Sequence, residues 1–135
     1  MKVKIFLPIL LILAIILLPN CATQKPVSIE NIYLCETIEE NNVPKKLPNI
    51  FPTDIKDIYL SINVENITPD DKINIVWTYL DTGDVINKQT SNIDRKGSGF
   101  IGFNLHIAEG FPSGSYKAEV FLNEEKVEEL EFSVQ

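Results

Sequence analysis

Two thiols, Cys21 and Cys35, one imidazole, His106, and a few close carboxylates are the groups of this chain that could do chemistry. A nucleophilic thiol needs a base beside it, and the one histidine is remote in sequence from both cysteines. Asp70-Asp71 and Asp81 with Asp84 would suit a hard cation, which takes about six to eight oxygens, but their spacing matches no calcium loop. They read instead as turn formers whose side chains bond to nearby amides. His106 alternates with Leu105 and Ile107 and so faces solvent, with no ligand partner in view. Glycoside hydrolysis would need two carboxylates converging in a cleft. Glu124, Glu125, Glu128, Glu129 and Glu131 fall instead on a terminal hairpin, where they solvate an edge. Gly97-Ser98-Gly99 lacks the Gly-x-Ser-x-Gly spacing of a nucleophile elbow, and neither Gly110 nor Gly114 supplies it around Ser113. No Walker sequence and no Gly-x-Gly-x-x-Gly occur. The inventory predicts no enzyme, no cofactor and no metal site.

The elements that would position these groups must come from one domain. The chain has 135 residues, 44% of them hydrophobic, with 19 acidic side chains against 12 basic ones. That length supports one core, and the apolar fraction is too high for a disordered chain. A formal charge of -7 argues against nucleic acid, because a polyanion repels a surface with a pI near 4.7.

Lys2 and Lys4 precede an apolar run from Ile5 to Leu18, the layout of a secretory signal. As a helix the run would reach about 21 Å, short of a hydrocarbon core of roughly 30 Å. It ends at Leu18-Pro19-Asn20-Cys21, which resembles the lipobox of bacterial lipoproteins, with Pro19 and Asn20 standing where that family prefers smaller residues. The resemblance implies cleavage before Cys21 and acylation of its thiol, with residues 1-20 as signal peptide and 21-26 as a tether. Retention of the run as an uncleaved anchor and release of the protein are the other outcomes. Two acyl chains would hold the protein stably without protein-lipid contact. Ala22 in place of the family's retention aspartate implies an outer-membrane or outward-facing destination. The expected location is therefore a cell membrane or outer membrane, with the domain outside the cytoplasm and an envelope protein as partner. Loss of Lys2 and Lys4, and of no acid, would leave 10 basic against 19 acidic residues, a charge of -9.

The fate of Cys35 depends on that of Cys21. With Cys21 acylated, Cys35 is a small apolar residue on the inner face of the first strand. With Cys21 free, the two could close a disulfide worth roughly 3 kcal/mol in chain entropy. A reactive thiol is the third reading.

From residue 27 onward the chain reads as strands. Residues 27-38 are β-branched and end in the polar turn Glu39-Glu40-Asn41-Asn42. Ile58, Leu60, Ile62 and Val64 alternate with polar neighbours, the period of a half-buried strand. Residues 72-81 carry Ile73, Ile75, Trp77 and Tyr79 on one face and Val76 and Leu80 on the other, as a central strand would. Asp81-Thr82-Gly83-Asp84 is a hairpin turn leading into residues 84-93. Ile101 to Ile107, Tyr116 to Leu122 and residues 126-134 complete about seven strands, which predicts an all-β sandwich.

The stretch 39-56 fits no strand. Pro44, Pro48 and Pro52 recur at steps of four around Lys45-Lys46, Leu47, Ile50 and Phe51, so regular structure is not expected there. One reading has Ile50 and Phe51 plug one end of the sandwich while the prolines protect an edge. The other makes the stretch a binding or inhibitory loop for a peptide, glycan or protease, with Lys45, Lys46 and Phe51 meeting the partner. Phe121, pointing opposite to Tyr116, Ala118, Val120 and Leu122, is a further candidate for a binding face.

Phe111-Pro-Ser-Gly-Ser-Tyr116-Lys-Ala-Glu-Val120 resembles the corner before the sixth strand of immunoglobulin-like and fibronectin type III domains. There a tyrosine hydroxyl bonds back to the preceding loop. Together with Trp77 in mid-strand, residues 27-135 resemble the immunoglobulin-like modules of bacterial surface proteins, without paired core cysteines. The resemblance implies a single antiparallel sandwich acting as an interaction or structural module rather than as a catalyst.

Overall fold

A computed structural model describes residues 23-135. The signal run, the lipobox-like sequence and Cys21 lie outside the described residues. All seven segments read as strands form strands, the first ending at Cys35 rather than at residue 38. They are β1 (Ser28–Cys35), β5 (Asp57–Ile67), β6 (Ile73–Tyr79), β7 (Asp84–Thr90), β8 (Gly97–His106), β9 (Gly114–Leu122) and β10 (Glu125–Val134). Between β1 and β5 lie three two-residue strands, β2 (Thr37–Ile38), β3 (Pro44–Lys45) and β4 (Ile50–Phe51), with a single 3-10 turn at Glu40–Asn42.

Three sheets result: β1-β5-β8, β4-β10-β9-β6-β7, and the small ladder β2-β3. The two larger sheets pack face to face. Ile58, Leu60, Ile62 and Val64 of β5 and Phe103 and Leu105 of β8 meet Ile73, Ile75 and Trp77 of β6, Tyr116, Ala118 and Val120 of β9, and Phe132 and Val134 of β10. Each strand contributes alternate residues, which is why the core is continuous while the intervening residues stay wetter.

Aromatic packing organises one end. The Tyr116 ring stacks on Phe132 at 5.3 Å, and Phe132 also meets Trp77 and Phe51 edge-on, at 6.2 and 5.5 Å. The buried Trp77 indole would lose several kcal/mol worth of hydration without a partner. Its Nε1 donates to Gln89 Oε1 at 2.9 Å, and Gln89 Nε2 donates onward to the Asn104 carbonyl of β8 at 2.7 Å. One side chain thus ties β6, β7 and β8 together along the open side of the sandwich.

The stretch 39-56 is more regular than its prolines suggest. Thr37 pairs with Lys45 and Ile38 with Pro44, and Ile50 and Phe51 run parallel to Ser133 and Val134 at the edge of the larger sheet. Pro44 is tolerated because its ladder is two residues long and lies at an edge, while Pro48 and Pro52 fall outside the ladders.

Cys35 is not on the inner face. A bulge between Ile29 and Asn31 resets the alternation of β1, so that Ile29, Ile32 and Leu34 pack on the core and Cys35 turns to the opposite face. It is nonetheless fully buried, because the chain from Glu36 to Lys46 folds back over it.

Candidate functional site

The outer face of the smaller sheet is roofed by that returning segment. Tyr33, Ser61 and Gly102 form one cross-strand row on this face, from β1 through β5 to β8. Ser61, fully buried, donates its hydroxyl proton to the Asn42 carbonyl at 2.5 Å, and Asn42 Nδ2 donates to the Phe100 carbonyl at 3.3 Å. Gly102 permits this close approach, since a Cβ there would collide with the Asn42 side chain. Asn41 and Asn42 both hold positive φ, near 61° and 62°, a conformation that asparagine tolerates better than most residues.

Beneath the roof, Cys35, the one free cysteine among the described residues, has its sulfur 3.7 Å from the Tyr59 carbonyl. Burial pushes its pKa up, outweighing the hydrogen bond from the Lys45 backbone. A protonated, shielded sulfur is a packing group rather than a nucleophile.

The four candidate contact residues do not form one site. Lys45 and Lys46 are exposed on the roof, Lys45 2.9 Å from Glu39 and Lys46 4.0 Å from Glu36. Phe51 is a correction: at 0% exposure it sits in the core against Phe132 and has no surface to offer a partner. β4 puts it there, because adding two residues to the edge of β10 turns alternate side chains in and out. Its neighbour Ile50 is 54% exposed. Phe121 is half-buried on the outer face of the larger sheet, opposite Asn74 and Lys126.

Asp71 behaves as a turn former, whereas Asp81 is used across the sheet rather than in its own turn. Asp71 accepts from the Thr68 N–H and hydroxyl, at 2.8 and 3.0 Å, and from Asn123 Nδ2 at 2.9 Å. Burial raises its pKa, but these hydrogen bonds prevail and the net shift is downward. Asp81 accepts from the Ser115 N–H at 3.0 Å. His106 is solvent-facing, as its position in the alternation predicts, yet it has a partner that the sequence did not indicate. Its Nδ1 lies 2.9 Å from Asp57 Oδ1, directly across the β5-β8 ladder. Hydrogen bonds from Asn104 and His106 hold the Asp57 carboxyl below the usual range. Among the described residues, no three His, Cys, Asp or Glu side chains are grouped to hold a metal ion.

The corner before β9 closes as its sequence predicts. The Tyr116 hydroxyl donates to the Pro112 carbonyl at 2.6 Å. Burial, with Tyr79 and Asp81 nearby, pushes its pKa up to about 12. Tyr79 donates to the Ser113 carbonyl at 2.8 Å, fixing the same loop from the neighbouring strand.

This arrangement has a counterpart among solved structures. An immunoglobulin-like protein from Pseudomonas aeruginosa matches with a TM-score of 0.55 and 12% identity, over 84% of this chain and 99% of that one. The fold is immunoglobulin-like. An alkylpurine DNA glycosylase from Pseudomonas fluorescens, solved with DNA containing an abasic site analog, aligns over 81% of this chain and 30% of its own. At 16% identity and a TM-score of 0.49 that likeness carries no argument. No protein-family model and no curated protein matches the sequence.

Depressions lie along the surface of the described residues. A cleft of about 670 Å³ lies along the loop from Ser91 to Lys96 beside β8, and a groove of about 220 Å³ lies between β1 and β10. The larger one gathers no convergent acid and base: of its charged residues, Asp94 is 3.5 Å from Arg95 and Lys96 stands apart. Among the described residues, no helix is long and apolar enough to cross a membrane.

Proposed function

We propose that this protein is an exported, lipid-anchored, non-catalytic module of the cell envelope, working by interaction rather than by chemistry. The observation that carries the reading is Cys21 at the end of an apolar run, a few residues before an immunoglobulin-like domain begins at Ser28. Seven residue steps from Cys21 to Ser28 reach at most about 25 Å, so acyl chains on Cys21 would hold the sandwich close to the bilayer by the end where β1 starts. Asn66 reaches back toward the Pro26 carbonyl at 3.5 Å, consistent with the tether leaving from that end. Loops 107-113 and 80-83, at the opposite ends of the strands, would then face away from the membrane.

The burial of the one free thiol among the described residues and the engagement of the Asp71 and Asp81 carboxylates with backbone N–H groups agree with a module that binds rather than catalyses. The test is the intact mass of the protein extracted from membranes after expression with its own signal, beside a Cys21→Ser variant. The expected mass is that of residues 21-135 plus acyl groups, lost in the variant. A full-length mass in both would overturn the lipid anchor and leave residues 5-18 as the membrane attachment.

A further inference from the structure

The four long edges of the sandwich are not equally protected. On β8 the outward carbonyls of Phe100 and Asn104 are already taken by Asn42 and Gln89. β1 is bulged after Ile29 and β7 at Ile86, which leaves regular runs only from Asn31 to Cys35 and from Asn87 to Thr90, each shorter than the run from Glu128 to Val134 on β10. β10 differs. Its outer side is paired with β4 only at Ser133 and Val134, and the run from Glu128 to Phe132 beyond its own bulge has no strand beside it.

The direction of the free groups follows from the alternation of a strand. The Gln135 N–H donates to the Phe51 carbonyl, so Ser133, Glu131 and Glu129 turn their backbone groups to that same side. The Glu129 N–H is met only by the carboxylate of its neighbour Glu128, at 3.2 Å. That is a stopgap a strand could displace. Alongside runs the groove between β1 and β10, with Ile32, Leu34, Leu47 and Leu130 in its lining. Asn49 and Glu131 complete its rim, so the groove offers polar as well as apolar seats to an added strand, and Leu47 to Asn49 border it where the chain runs into β4.

Charge decides which strand. Glu119 and Glu129 are neutralised by Lys117 and Lys126 on the outer face of the sheet. Among the described residues, Glu125, Glu128 and Glu131 have no basic side chain within bonding distance. Those carboxylates repel a second copy of the same edge and favour a cationic one. We propose that the open edge of β10 receives an extended segment of a partner protein, alternating basic and aliphatic residues, by strand addition. This rests on the reading of the protein as an interaction module and names the class of its partner.

The test uses the full chain in detergent and a peptide alternating lysine and valine over about ten residues. Binding is followed by amide hydrogen exchange and by titration. Slowed exchange at Glu129 and Glu131 is expected, with affinity reduced roughly tenfold or more in a Glu128→Lys, Glu131→Lys double variant that melts like the parent. Should that variant fail to fold, Glu131→Gln alone serves, with a smaller loss in the same direction. A peptide of the same sequence with N-methylated backbone amides should lose most of its binding. Equal binding of the N-methylated peptide would mean adsorption by charge and overturn the proposal, as would protection confined to β7 or no binding at all. Failure of the mass experiment on Cys21 leaves this outcome untouched, so the two readings fall separately.

Discussion

The two sheets of this sandwich keep their outer faces from other chains in different ways. The smaller one is roofed by its own chain: Cys35 and Ser61 are fully buried on what would be a solvent face, because the segment from Glu36 to Lys46 lies over them. The larger one is left open and covered by side chains, with Lys117 and Lys126 interleaved among Glu119 and Glu129. Residue size accounts for the difference. Serine, cysteine and glycine allow a backbone to lie flat on a sheet, whereas long charged side chains stand up into water and satisfy one another there. A roofed face is committed to its own chain. Only the open sheet, and above all its β10 edge, is left for anything else.

Beyond the roof the chain is pinned to the edge of the larger sheet by Phe51 of β4, and truncating that residue has the largest expected effect. Phe51→Ala removes a fully buried ring packed on Phe132 and should cost about 3–5 kcal/mol in a denaturant titration. A loss below about 0.5 kcal/mol, the range of surface changes, would return Phe51 to the surface and to the list of contact residues. Lys45→Ala with Lys46→Ala is the control, and falls within that surface range.

Gly102→Ala attacks the roof itself. The new methyl group must push Asn42 aside, breaking its bond to the Phe100 carbonyl and loosening the Ser61 contact, at about 1–3 kcal/mol. The distinguishing readout is Cys35. Native-state labelling by a thiol reagent should speed up about tenfold or more as the roof opens locally. A fall in global stability without faster labelling would show that something other than this segment shields the thiol.

How much of this was legible in the sequence follows from the range over which each signal acts. Alternation is local, so β5, β6, β9 and the Tyr116 corner were readable from a handful of neighbouring residues each. The position of Phe51 was not, because β4 is two residues long and its partners Ser133 and Val134 stand at the other end of the chain. Three prolines at regular steps suggested an irregular loop, and nothing nearby contradicted them. Cys35 was misplaced by one residue of parity: the bulge at Glu30 leaves no mark in composition, yet it exchanges the two faces of β1. The bridge from Trp77 through Gln89 to Asn104 was missed although a signal existed, since a buried indole N–H demands an acceptor on a neighbouring strand. As for the site, the sequence located Lys45 and Lys46 on the surface and put Phe121, which is half-buried, on the outer face, but the unpaired backbone of β10 depends on β4 stopping at Ser133 and Val134, which no local pattern encodes.

Tyr116→Phe acts on the corner that both sheets share and should cost about 1 kcal/mol through the lost bond to Pro112. It carries a pH signature as well. The folded protein keeps the Tyr116 proton up to about 12, against 10.0 when unfolded, so the unfolded chain binds fewer protons between those values. Stability from this residue is complete below pH 10, and it declines as pH rises toward 12. Removing the hydroxyl should flatten that alkaline decline. An unchanged slope would assign it to another group, with Tyr79, also shifted upward, the next to test.

Glu119→Gln on the open face should have the smallest effect, and its smallness is informative. The hydrogen bond from Lys126, and the charges of Lys126 and Lys117, hold the Glu119 carboxyl below its ordinary range. Its contribution is therefore present above the ordinary glutamate value and is lost as pH falls through the depressed one. The lysines are partly exposed and water screens the pair, so the loss at neutral pH should be a few tenths of a kcal/mol and should shrink further in added salt. Cys35 labelling should stay at the parent rate, because nothing on this face supports the roof on the other. A labelling rate that rose with Glu119→Gln would mean that the two faces are coupled through the core. In that case the open sheet could not accept a partner strand without disturbing the covered one.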